Sequence, residues 1–73
     1  MEDNILGKRL RRARLLRDIN QQDLAKKAGL TIPYMSQIEN GHVDPRWSVV
    51  LKLAKVLGVS TEYFTGKEKE HDE

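Results

Sequence analysis

Apolar positions recur along the chain at helical spacing, and nowhere do they alternate in the strand period. Leu6, Leu10 and Ala13 lie four and three apart in a segment otherwise dominated by Arg and Lys. That spacing predicts a first amphipathic helix from Ile5 to Arg17, capped by Asp3 or Asn4. Leu15 and Leu16 fall off the stripe, so at least one belongs at the surface. Ile19 precedes the cap candidate Asn20 and suits a staple onto the next helix. Leu24, Ala25 and Ala28 give that second helix one apolar turn, and Gly29 stands where a left-handed residue would end it. Thr31 is another cap candidate. Met35 and Ile38 are the inward stripe of a third helix, which Asn40-Gly41 closes. His42 to Pro45 is loop. Trp47, Val50, Leu51, Ala54 and Leu57 form the expected inward face of a fourth helix, with Lys52 and Lys55 outward and Gly58 as its stop. Trp47 is assigned to the core. Ser60 caps a last turn, Thr61 to Phe64, that brings Phe64 and Tyr63 inward. Val49 and Val50 are β-branched but sit inside a helical period, so no strand is predicted. The expectation is an all-α chain of five short helices, with one domain at 1–66. GKEKEHDE follows, a charged tail (67–73 after Gly66) with nothing apolar to bury.

Composition narrows the function. A chain of 73 residues supports one small core. It has no cysteine, hence no disulfide framework and no Cys-based zinc site. No apolar run nears the ~20 residues of a membrane span. MEDNILGK lacks the basic start and apolar run of a signal peptide, which points to the cytoplasm. The net charge of +2 is unevenly spread. Residues 1–17 hold six Lys/Arg against two acids, whereas 67–73 holds two Lys against four acids. Residues 1–66 keep eleven basic against seven acidic side chains, a balance that suits a polyanion partner. His42 and His71 have no metal-ligand spacing, and neither a metal nor another cofactor is expected. No nucleophile-base set or glycine-rich phosphate loop argues for catalysis.

The two helices around Gly29, within Gln21 to Glu39, have the layout of a helix-turn-helix, whose second helix enters the major groove of DNA. The motif Gln21-x-x-Leu24-Ala25-x-x-Ala28-Gly29-Leu30-Thr31, followed by Tyr34-Met35-Ser36-Gln37-Ile38-Glu39-Asn40-Gly41, resembles the phage-repressor and Cro-type family, also called XRE. Pro45, Leu51-x-Leu53-Ala54-Lys55-x-Leu57-Gly58-Val59-Ser60 and Phe64 extend the resemblance over about residues 5–65. The resemblance implies a compact five-helix bundle of the lambda-repressor-like type, with helices 2 and 3 as the helix-turn-helix. It also implies binding to double-stranded operator DNA as a homodimer, in the role of a transcriptional repressor. By the same resemblance, Ile32, Pro33, Tyr34, Ser36 and Gln37 face base edges. Gln21 bonds a phosphate, and Arg14 pairs with Glu39.

The residues themselves refine this. A glutamine at 37 can make paired bonds to adenine N6 and N7. Tyr34 has two open roles, contact with thymine, sugar or phosphate, or packing over the turn. Pro33 stiffens the helix start, where its missing N–H costs nothing. Gln22 and Thr31 join the phosphate-facing set with Gln21, although Gln22 also reads as plain surface; helix starts present free N–H groups and a positive dipole end. Asn40 and Arg46 flank the loop after the third helix and complete that set. Phage repressors often carry long polar residues where Ile32 and Pro33 stand. Apolar residues there would meet thymine methyl groups instead. Two other classes compete. One is a protein-interaction module, such as the antitoxin of a toxin pair, using Leu15, Leu16 and the Tyr63–Phe64 end. The other is membrane-surface binding through the first helix, disfavoured because Leu6, Leu10 and Ala13 are needed in the core. The dimer surface is expected near Val59 to Phe64.

Overall fold

The computed structural model describes residues 4–66, which form five α-helices and, among the described residues, no strand. They are α1 (Ile5–Leu16), α2 (Gln21–Lys27), α3 (Ile32–Glu39), α4 (Trp47–Leu57) and α5 (Thr61–Thr65). The predicted all-α, five-helix architecture holds. Asp3 and the 67–73 tail, with His71, lie outside the described residues.

Four of the five starts are chemical caps. The side chains of Asn4, Asn20, Thr31 and Ser60 accept from the backbone N–H of Gly7, Asp23, Tyr34 and Tyr63, each three residues on. Each satisfies one of the donors a helix start leaves free. The ends of α2 and α3 are equally explicit. Gly29 and Gly41 take φ of 70° and 76°. The N–H groups of Leu30 and His42 then reach back to the carbonyls of Ala25 and Gln37, closing each helix in a Schellman arrangement.

Packing follows from the apolar stripes. α2 and α3 lie against each other, α1 spans α3 and α5, and α4 rests on α5 and α2. Leu10, Leu24, Met35, Ile38, Leu53, Leu57 and Phe64 are fully buried at the centre, with Ala13, Ala25, Ala28 and Ala54 letting the helices approach. Leu6, Ile19, Tyr34, Val59 and Tyr63 pack against its edge, partly buried.

The inward face of α4 differs from the expected one. Val50, Leu53, Ala54 and Leu57 are buried, whereas Trp47 is 56% and Leu51 47% exposed. Two stripes with the same 3, 4, 7 spacing share this helix, one starting at Trp47 and one at Val50. The second wins because it points Leu53 and Leu57 at Phe64's core, and because α4 starts at Arg46 with no side-chain cap to fix its entry. Trp47 is therefore a surface residue. Leu15 and Leu16 are both exposed, and α1 stops at Leu16 rather than Arg17.

Candidate nucleic-acid interface

The helix-turn-helix is held from behind by one buried carboxylate. Glu39, the last residue of α3, accepts from Arg14 of α1 through Nε at 2.7 Å and Nη2 at 3.1 Å, a bidentate pair. Arg14 and Glu39 are 8% and 7% exposed. Arg14 also donates to the Ile19 carbonyl at 3.1 Å. The Gln21 side chain, at the start of α2, donates to Glu39 Oε1 at 3.2 Å. One carboxylate thus ties α1, α2 and α3 together, and it meets the requirement that a buried charge be paired and hydrogen-bonded. A second tie lies at the other end of α1. Asn4 Nδ2 donates to the Glu39 carbonyl at 2.8 Å while Asn4 Oδ1 caps α1. Gly7 allows this approach, because a Cβ there would sit 2.5 Å from both the Asn4 side chain and the Glu39 carbonyl oxygen. Sequence reasoning missed Gly7 and Asn4's second bond. The signal available was a glycine inside a helix, which often marks close contact of backbones.

With its inner face fixed, α3 turns its other face outward. Ile32, Pro33 and Gln37 are exposed, with Ile32 at 42%. Pro33, Gln37 and Asn40 repeat at four and three, so they form one open ridge. Ser36 and Tyr34 are half-buried. Tyr34 packs its ring on the core edge, so packing over the turn is at least part of its role. Ser36 Oγ accepts from Asn40 Nδ2 at 3.4 Å. Around the ridge stand polar groups from three segments. Gln22 and Thr31 are exposed near its start, Asn40 is exposed at its end, and Arg46 is exposed in the loop beyond. Gln21 is half-buried. Its amide keeps a second N–H besides the one given to Glu39. Thr31 Oγ1 accepts from Tyr34 N, which leaves its hydroxyl proton as a donor. The groove between α2 and the start of α3 is lined by Gln22, Asp23, Lys26, Leu30, Thr31 and Ile32 and has a volume of about 570 Å³.

The charge is also one-sided. Residues 4–66 carry eleven Lys/Arg and five carboxylates, and Glu39 is already neutralised by Arg14. Among the described residues no His/Cys/Asp/Glu cluster could hold a metal ion.

Comparison with known proteins agrees with this geometry. A family model described as helix-turn-helix matches residues 10–64. The HTH-type transcriptional regulator ImmR of Bacillus subtilis is 36% identical over 64 residues, which is 88% of this chain and 50% of ImmR. The chain thus spans half the length of that relative. The restriction-modification controller protein C.AhdI from Aeromonas hydrophila superposes with a TM-score of 0.79 at 30% identity, over 82% of this chain and 91% of that one. The P22 c2 repressor, solved in complex with a synthetic operator, gives a TM-score of 0.76 at 32% identity, over 81% and 89% of the two chains. The chain belongs to the XRE-type helix-turn-helix family of transcriptional regulators, the phage-repressor and Cro type.

Proposed function

We propose that this chain is a sequence-specific DNA-binding repressor that acts in the cytoplasm. It binds its operator as a homodimer, with α3 of each copy in the major groove. The observation that carries this reading is the open ridge of α3. Ile32, Pro33 and Gln37 face solvent on a helix whose opposite side is pinned by the buried Arg14–Glu39 pair. Gln37 supplies paired bonds to adenine, and Ile32 and Pro33 supply apolar contact to thymine methyl groups. Tyr34 and Ser36, half-buried beside the ridge, reach only neighbouring sugar or base atoms. Gln21, Gln22, Thr31, Asn40 and Arg46 hold phosphates on the two rails, which fixes register without reading sequence. The relatives are regulators, and one is a repressor solved on an operator.

The test is a salt titration on duplexes selected from a random pool. A dimer engaging ~6–10 phosphates should lose about 10³–10⁵ in affinity between 50 and 200 mM salt. Absence of binding at low salt, or binding indifferent to salt, would overturn the proposal.

A second reading has its own observation. Leu15 and Leu16 are 57% and 73% exposed at the end of α1, among cations. An antitoxin-like role would use that surface for a protein partner while the α3 ridge still binds DNA. A second chain co-purifying in fixed ratio, and lost on Leu16→Ser, would favour it.

A further inference from the structure

Two apolar side chains stand together where the α3 ridge begins. Ile32 is 42% exposed, and Pro33 is exposed beside it. We infer that this pair recognises the C5 methyl of a pyrimidine rather than thymine as such. 5-Methylcytosine is then accepted at the same step, and binding responds to methylation of the DNA. The inference rests on the DNA-binding reading above and adds the ligand chemistry of one base step.

Three observations carry it. The first is the chemistry of the two side chains. In the major groove thymine shows its methyl beside the O4 acceptor, whereas cytosine shows an amino donor there and no methyl. 5-Methylcytosine combines the thymine methyl with the cytosine donor. Telling it from thymine requires a hydrogen bond at position 4 of the ring. Ile32 and Pro33 have no side-chain donor or acceptor, and Pro33 lacks even the backbone N–H. The methyl is the one feature they register.

The second is that no neighbour supplies the missing bond. Tyr34 is half-buried on the core edge, and the Ser36 hydroxyl, also half-buried, takes up Asn40 Nδ2 at 3.4 Å. Gln37 is the next open polar side chain on the ridge, five residues past Ile32. That is about 7.5 Å of helix rise, roughly two base-pair steps of ~3.4 Å. With α3 lying along the groove, the paired bonds of Gln37 fall on a different base pair.

The third is rigidity. Isoleucine in a helix keeps essentially one χ1 rotamer, and the proline ring is fixed. Ile32 also lines the groove between α2 and α3 together with the half-buried Leu30, so part of it is already packed. A fixed apolar edge meets a methyl group with little loss of side-chain freedom.

The test uses the full chain and duplexes recovered by selection. Each thymine in turn is replaced by uracil, which removes one methyl and leaves the hydrogen-bonding edge intact. At one position per half-site, affinity should fall about fourfold, and ~15-fold with both half-sites changed. A G·C pair is then placed at that position, with and without a methyl on cytosine C5. The methylated duplex should bind about fourfold tighter per half-site. The partner purine differs between the two pairs, so each comparison is made within one pair. Both use the unaltered protein. Both increments should vanish in Ile32→Ala/Pro33→Ala, while its circular dichroism and its affinity for the methyl-free duplexes stay those of the parent. A position where uracil weakens binding but the cytosine methyl has no effect overturns the inference, because thymine O4 is then part of the contact. Tolerance of uracil at every thymine overturns it as well. So do increments that persist in the double variant, since the methyl then acts through the shape of the duplex. Loss of binding to every duplex at low salt overturns the DNA-binding reading itself, and this inference with it.

Discussion

Replacing Glu39 with glutamine removes one charge and leaves every other bond of the junction available. The Asn4–Glu39 backbone bond survives, since it uses the main-chain carbonyl. What is lost is the negative charge and one of the two acceptor oxygens of a bidentate guanidinium pair at 2.7 and 3.1 Å, with both partners more than nine-tenths buried; the amide NH₂ in its place meets a donor with a donor. Arg14 would keep its bond to the Ile19 carbonyl but not a counter-charge. Stranding one member of a buried pair costs about 3–5 kcal/mol. A domain of this size has a total stability of roughly 4–10 kcal/mol. The variant should therefore sit near its unfolding threshold, with Tm lowered by about 12 °C or more. Urea unfolding followed by circular dichroism at 222 nm measures this. Trp47 fluorescence is a poor monitor, because the indole is more than half exposed in the folded chain.

The double variant Arg14→Met/Glu39→Leu separates the pair's net contribution from the penalty of breaking it. Apolar residues of similar volume often replace a buried pair without loss. The double variant should therefore recover most of the stability, with a coupling energy of about 2–3 kcal/mol in the cycle. An E39Q protein within 1 kcal/mol of the parent would refute the reasoning. It would mean that water reaches the guanidinium and that the pair behaves as a surface contact.

Four further outcomes follow from the same geometry. Gly7→Ala should destabilise by about 1–3 kcal/mol despite alanine's better helix propensity, because its Cβ meets the Glu39 carbonyl and Asn4 at 2.5 Å; any gain in urea midpoint contradicts this. Asp18→Gly should stabilise by about 0.5–1 kcal/mol, since Asp18 holds φ of 59° and puts a negative charge at the end of α1; thermal melts check it, and a lower Tm refutes it. Gln37→Ala should cost about 1–3 kcal/mol in operator binding, relax one base position in repeated selection and leave the Tm unchanged. Arg46→Ala should weaken binding to all sequences alike and reduce the salt slope by about one per copy; a change in preferred sequence would place Arg46 on a base edge instead.

How much of this was legible in the chain depended on whether the determinant was local. Asn20, Thr31 and Ser60 are caps by their own chemistry and bond N–H groups three residues on, so spacing alone finds them. Gly29, Gly41 and Gly58 end helices for an equally local reason. At the end of α1 the same left-handed step is taken by Asp18, with Ile19 N–H reaching back to the Arg14 carbonyl. Without a glycine as marker, the boundary slipped by one residue. The face of α4 failed differently. Trp47 and Leu51 satisfy the helical period as well as Leu53 does, so periodicity offers two answers, and only the positions of Phe64 and Leu57 choose between them. An apolar row that fits the pattern yet stays outside is therefore informative in its own right: the core does not need it. The Glu39 junction lies between these cases. That an arginine in α1 meets the glutamate closing α3 came from family resemblance. That Gln21 and Asn4 converge on the same residue depends on how closely α1 approaches α3, and Gly7 sets that approach. The consequence is mechanical. The angle at which α3 leaves the body is fixed by four bonds to one residue, so substitutions at Asn4, Gly7, Arg14 or Gln21 should alter DNA affinity without touching any base.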